Sequence, residues 1–207
     1  MQKGGIFMKS LFISLTLAYL LIISVHADDL LDSYSLEYQG KYSDALVLVE
    51  KLGKAESTEY LYQLRAGWLC LLTNDYDKSL EYYRKAQALA PDSIEPKLGM
   101  IKAHLGLLQY KEVESVSKSI IKHDPKHYLA RTYLAYSLYE NKSYVDARKV
   151  YESVLTDYPS DVEMLLGVGW SYLKEGNKKK SKEFFSRALK FSPQNPRAQE
   201  GLWYVDK

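Results

Sequence analysis

Small and large apolar positions recur along this chain at one fixed spacing. Counted in units that start at His26, Tyr60, Ile94, Tyr128 and Val162, the eighth position holds Ser33, Gly67, Ile101, Ala135 and Gly169. The twenty-fourth holds Val49, Tyr83, Ser117, Tyr151 and Phe185, and the twenty-seventh holds Leu52, Ala86, Ile120, Val154 and Ala188. Small residues let two helices approach while large neighbours fill the gap beside them, so this alternation predicts packed helix pairs. Pro91, Pro125, Pro159 and Pro193 are each 34 residues apart, the length of one helix-turn-helix repeat. Breaks are predicted at Gly40, Asn74, Asn141 and Gly176 inside the pairs and at the repeated prolines between them. Asp75, Ser160 or Asp161, and Asn195 ahead of Pro196 fit helix N-caps. No Val/Ile/Thr alternation competes for strands.

The first residues follow a different pattern. Lys3 and Lys9 precede an apolar run from Leu11 to Ile23, and Val25-His26-Ala27 supplies small or short residues for cleavage. Residues 1–27 are therefore expected to be a signal peptide, with Met8 as an alternative start, and the mature chain to be exported, periplasmic in a bacterium or secreted. The alternative is an uncleaved membrane tether, although Leu11 to Val25 is shorter than the roughly 20 residues of a spanning helix. Asp28 after Ala27 excludes the cysteine a lipid-anchored protein would need.

The full chain has 28 basic and 26 acidic residues, and losing Lys3 and Lys9 with the leader leaves the two equal. No basic surplus remains for phosphate neutralisation, which argues against nucleic acid as a partner. Cys70 is the only cysteine, so no intramolecular disulfide forms, and its place between Leu69 and Leu71 predicts a buried thiol.

The in-phase residues Gly67, Tyr76, Tyr83, Ala86 and Pro91 make the second unit resemble the tetratricopeptide repeat most closely, and the resemblance extends over about residues 28–195. The third unit departs most, with His104 at the usual tyrosine position, Val113 for alanine and Ser117 for the aromatic. The resemblance implies an all-α, right-handed superhelical solenoid of about five helix pairs, 28–59, 60–93, 94–127, 128–161 and 162–195, closed by a capping helix over 196–207. Arg197, Gln199, Glu200, Asp206 and Lys207 are expected to form the polar outer surface of that cap. It also implies that the first helix of each pair lines a concave groove. Tyr34, Trp68, Lys102, Tyr136 and Trp170 fall at one groove position, with Tyr204 in the cap. Leu64, Leu71, Thr132, Tyr139, Leu166 and Leu173 fall at its neighbours, beside Glu140 and Lys174. The expected ligand is an extended or helical apolar peptide of a partner protein, because Trp and Tyr supply large rigid contact area. The alternative for Trp68, Tyr136 and Trp170 is packing inside the array.

Chemistry-bearing residues do not converge in the sequence. His123 and His127 are four apart, but Pro125 between them at an inter-repeat turn keeps them off one helical face, so no metal site is expected. His104 is expected to pack, and Lys178, Lys179, Lys180 and Lys182 to form a solvated face. No catalytic residues and no cofactor are expected. The expected role is an extracytoplasmic scaffold that holds polypeptides, the alternative being self-assembly into homo-oligomers.

Overall fold

The computed structural model describes residues 28–207, and among them every regular element is helical. The leader expected over 1–27 lies outside the described residues. Helix α1 is described over 28–38, followed by α2 (Tyr42–Ala55), α3 (Tyr60–Leu72) and α4 (Tyr76–Leu89). Next come α5 (Glu95–Gly106), α6 (Tyr110–His123), α7 (Tyr128–Glu140), α8 (Tyr144–Asp157), α9 (Val162–Lys174), α10 (Lys178–Phe191) and α11 (Pro196–Asp206). None of the described helices is long and apolar enough to cross a membrane. The chain forms two compact units, one ending at Asp92 and one from Ser93 to Lys207, each a stack of helix pairs of the all-α tetratricopeptide solenoid class.

The turns inside the pairs share one backbone device. Gly40, Asn74, Leu108, Lys142 and Gly176 all have φ between 56° and 82°, and they stand 34 residues apart. Around each, the next residue's N–H reaches back across the turn: Asp75 N to Cys70 O at 2.9 Å and Asn177 N to Tyr172 O at 2.8 Å are two instances. A left-handed residue closed by such a long bond satisfies the orphan carbonyls of the helix end. The break expected at Asn141 therefore falls one residue later, because Asn141 itself caps α7 with φ −75° and Lys142 makes the left-handed turn. The third pair's break falls at Leu108, two residues after Gly106, the last residue of α5.

Between pairs the chain turns at the prolines. His127 N donates to Asp124 O at 3.1 Å across Pro125, and Asn195 N to Ser192 O at 3.0 Å across Pro193. The expected caps form, with Asp75, Asp161 and Asn195 side chains accepting from Lys78, Met164 and Ala198 N–H groups. Asn177 caps α10 in the same way, and His127 caps α7 through Nδ1, which accepts from Ala130 N at 3.2 Å.

Inside the first unit, Ala45, Val49, Leu52, Leu69 and Cys70 are fully or almost fully buried in one core. The second holds a smaller cluster around Ile101, Val113, Ile120 and Ala130, and a larger one around Leu165, Val168, Phe185 and Ala188. Small-to-large pairing is direct. A Cβ built on Gly67 would stand 2.9 Å from the Tyr83 ring, and one on Gly169 would stand 2.7 Å from Phe185. His104 takes the packing position expected of it, buried with Nδ1 2.7 Å from Gln109 Oε1.

Candidate functional site

In the second unit α9 packs against both α7 and α11, and an open cavity of about 450 Å³ lies over the three. The volume falls in the range of small-ligand clefts. Tyr136 and Tyr139 come from α7, Trp170, Leu173 and Lys174 from α9, and Arg197, Glu200 and Tyr204 from α11. These helices present the same stripe because positions three and four apart share a face. Trp170 is held edge-on by Phe185 at 5.1 Å and Tyr204 at 5.9 Å between ring centroids, and Tyr136 by Tyr110 at 6.1 Å. Edge-to-face packing of this kind fixes ring orientation before any ligand arrives.

Tyr151 of α8 also lines the cavity; it is 6% exposed, and its hydroxyl has no hydrogen-bond partner among the described residues. Burial, with the neighbouring Tyr139 and Glu140, pushes the Tyr151 phenol up from its ordinary 10.0. Burial likewise raises Tyr139 to about 12, helped by Tyr144 and Glu140. These phenols are therefore neutral donors and acceptors at physiological pH. Arg197 is paired with Glu163 at 2.6 Å, whereas Glu140, Glu200 and Lys174 make no ion pair among the described residues.

The first unit carries a shallower site lined by Tyr34, Glu37, Tyr38, Tyr42, Arg65, Trp68 and Leu72. Several of its polar groups are engaged with one another, although Arg65 Nη2 is buried without a hydrogen-bond partner among the described residues. Glu37 accepts from Arg65 Nη1 at 2.8 Å and from Trp68 Nε1 at 2.7 Å, Ser33 Oγ accepts from Arg65 Nε at 2.9 Å, and the guanidinium lies 3.5 Å over the Tyr34 ring. Trp68 and Tyr34 thus serve the interior of this unit as much as its surface.

Of the residues assigned to the groove, Tyr136, Tyr139, Trp170 and Leu173 gather round the cavity of the second unit, and Tyr34 and Trp68 line the shallower site of the first. Lys102 is exposed on α5, Leu64 and Leu71 are half-buried on α3, and none of the three lines either cavity. Thr132 is turned to its own helix, its hydroxyl bonding Tyr128 O at 3.0 Å. Leu166 corrects the expectation: at 0% exposed it belongs to the core and offers nothing to a ligand. Arg197 and Glu200, expected on the polar outer surface of the cap, instead face the cavity with Tyr204. Their places seven and four residues before Tyr204, on one helical face, were the available signal.

Stacked helix pairs with left-handed closures every 34 residues and an aromatic face on the first helices define a helical-repeat protein. Family profiles described as tetratricopeptide repeat match residues 138–202 and, for a second profile, 33–94 and 113–162. The second covers more than half of the chain, which belongs to the tetratricopeptide repeat family. The sequence has no significant match among curated proteins. The structure is similar to that of YrrB, described as a TPR protein with an unusual peptide-binding site, at TM-score 0.71 and 16% identity over 83% of this chain and 89% of that one. It is also similar to MamA from Desulfovibrio magneticus RS-1, at TM-score 0.75 and 14% identity over 84% and 96%, and to MamA AMB-1, at 0.69 and 18% over 82% and 92%.

Proposed function

We propose that the chain is an extracytoplasmic scaffold that grips a peptide segment of a partner protein in the α7–α9–α11 cavity. One observation carries the reading: Tyr136, Trp170 and Tyr204 converge from three separate helices on one open cleft, where rigid aromatic area is available to a ligand. Export is part of the proposal and rests on the basic and apolar pattern of residues 1–27.

Trp170 packs against Phe185, so truncating it would disturb the core. Tyr136→Ala with Tyr204→Ala is the cleaner probe, since both rings are exposed. The full chain and this double variant, each immobilised and exposed to envelope extract, should differ by loss of one captured protein at unchanged helicity. Equal capture would move binding away from this cleft. Fractionation of cells should place the protein outside the cytoplasm, and a cytoplasmic pool alone would remove the export claim.

A second reading, self-assembly, is favoured by the last helix. Trp203 stands at the eighth position of its repeat, where earlier units hold buried small or aliphatic residues, and it is 52% exposed, a large apolar ring available to a second copy of the chain. Sedimentation over a range of concentrations should then show growth in mass, and a constant monomer mass sets this reading aside.

A further inference from the structure

We infer that the α7–α9–α11 cavity selects peptides by an arginine side chain, the guanidinium being received by the aromatic walls and by Glu140 and Glu200. This rests on the proposed reading of the cavity as the peptide site and adds the chemistry of the residue it takes. Three features point the same way. Trp170, Tyr136 and Tyr204 offer ring surfaces, and a flat delocalised cation stacks on such rings better than an ammonium does. Glu140 and Glu200 line the cavity without an ion-pair partner among the described residues, while Arg197 is paired with Glu163. Of the lining charges without an ion-pair partner among the described residues, two are acids and one, Lys174, is a base.

The third feature is Tyr151. Its nearly buried side chain lines the cavity, its hydroxyl has no hydrogen-bond partner among the described residues, and a neutral phenol oxygen can accept from a guanidinium N–H. Two carboxylates, one phenol oxygen and ring surfaces accommodate the five N–H groups of arginine, which carries no acceptor of its own. A carboxylate ligand would meet only Lys174 and the already paired Arg197, and would face Glu140 and Glu200.

The test uses the full chain and two capped pentapeptides, four alanines with a central arginine and the same peptide with neutral, isosteric citrulline. Binding is followed by the Trp170 indole N–H resonance. The arginine peptide should bind about tenfold more tightly or better than its citrulline twin. Glu140→Gln with Glu200→Gln should bring that ratio close to one by weakening the arginine peptide far more than the citrulline peptide, and Lys174→Ala should widen it. Equal affinity of the two peptides for wild type overturns the proposal, as does an undiminished ratio in the double variant or tighter binding of a glutamate peptide. No shift of the Trp170 signal by either peptide at millimolar concentration overturns it too. Should envelope capture still depend on Tyr136 and Tyr204 in that case, the peptide-site reading stands and only the arginine assignment falls.

Discussion

Phe185 shows how far a single side chain can fix the spacing of this fold. Its ring is wholly buried and is touched from two helices, since a Cβ on Gly169 would approach it to 2.7 Å and one on Gly201 to 2.4 Å. At neither glycine is φ in the left-handed region, so the absence of a side chain there is a matter of room and not of backbone freedom. Alanine in a helix interior gains about 1 kcal/mol in propensity over glycine. Overpacking a dense core costs about 1–3 kcal/mol, and the buried ring is approached closely from both helices. Gly201→Ala should therefore lower the stability of the second unit by about 1 kcal/mol or more, measured as a fall in the urea midpoint. Adding Phe185→Leu should cost less in the Gly201→Ala background than alone, because the smaller side chain relieves the contact. An unchanged midpoint for Gly201→Ala would show that the ring yields freely and that close approach is not what these glycines provide.

At the scale of the helix pair, the left-handed residue is the element that decides where one helix stops and its partner begins. Glycine fills it twice and asparagine once, residues that adopt φ near +60° at low cost, but the third pair places Leu108 there at φ 56°. Leu108 is 68% exposed, so its side chain contributes little burial in return. The strain of a left-handed leucine is roughly 1–2 kcal/mol, and asparagine avoids most of it without the added unfolded-state entropy of glycine. Leu108→Asn should raise the thermal midpoint, with a gain of about 1 kcal/mol; a loss would mean that the leucine has a packing role the exposure does not reveal. This pair also shows what the sequence could and could not disclose. Position-specific small and large residues such as Gly67 with Tyr83 announced the helix packing directly, because volume leaves a trace in residue type. The left-handed position at Leu108 left little, since leucine carries no preference for that backbone; Gly106 lies two residues before it, and its distance of 34 residues from Asn74 is what fixes the place. Leu166 failed for the complementary reason. Its repeat position says which helix face it occupies, but the depth at which that face is covered depends on neighbours from other helices. Arg197 and Glu200 were read as a solvated cap because charge alone does not tell a cavity rim from an outer surface.

Across the whole molecule, the protonation equilibria that folding moves most are those of neutral acids whose burial holds their protons on. Burial raises the Cys70 thiol from 9.0 to about 12, and burial with the nearby thiol raises Tyr83 from 10.0. In the other unit burial raises Tyr151 and takes Tyr139 to about 12, while Tyr128 reaches about 12 chiefly through its hydrogen bond to Asp161. In every case the folded pKa lies above the unfolded one. Below about pH 9 both states keep these protons and nothing changes; above it the unfolded chain releases first Cys70 and then the tyrosines while the folded chain retains them. Unfolding then gives up protons, so stability falls as pH rises. Each buried group contributes a slope of up to about 1.4 kcal/mol per pH unit until its folded pKa is reached. For Cys70 and Tyr83 together the loss between about pH 10 and 11 is roughly 2–3 kcal/mol, a large share of the 5–15 kcal/mol typical of a domain. The urea midpoint followed by far-ultraviolet circular dichroism should accordingly hold steady from about pH 7 to 9 and drop steeply by about pH 11. Cys70→Ala should delay the onset of that drop, since the thiol is the first of these groups that the unfolded chain ionises. A midpoint that stayed level to about pH 11 would contradict the depth at which the structure buries these side chains, because groups in contact with water would titrate alike in both states.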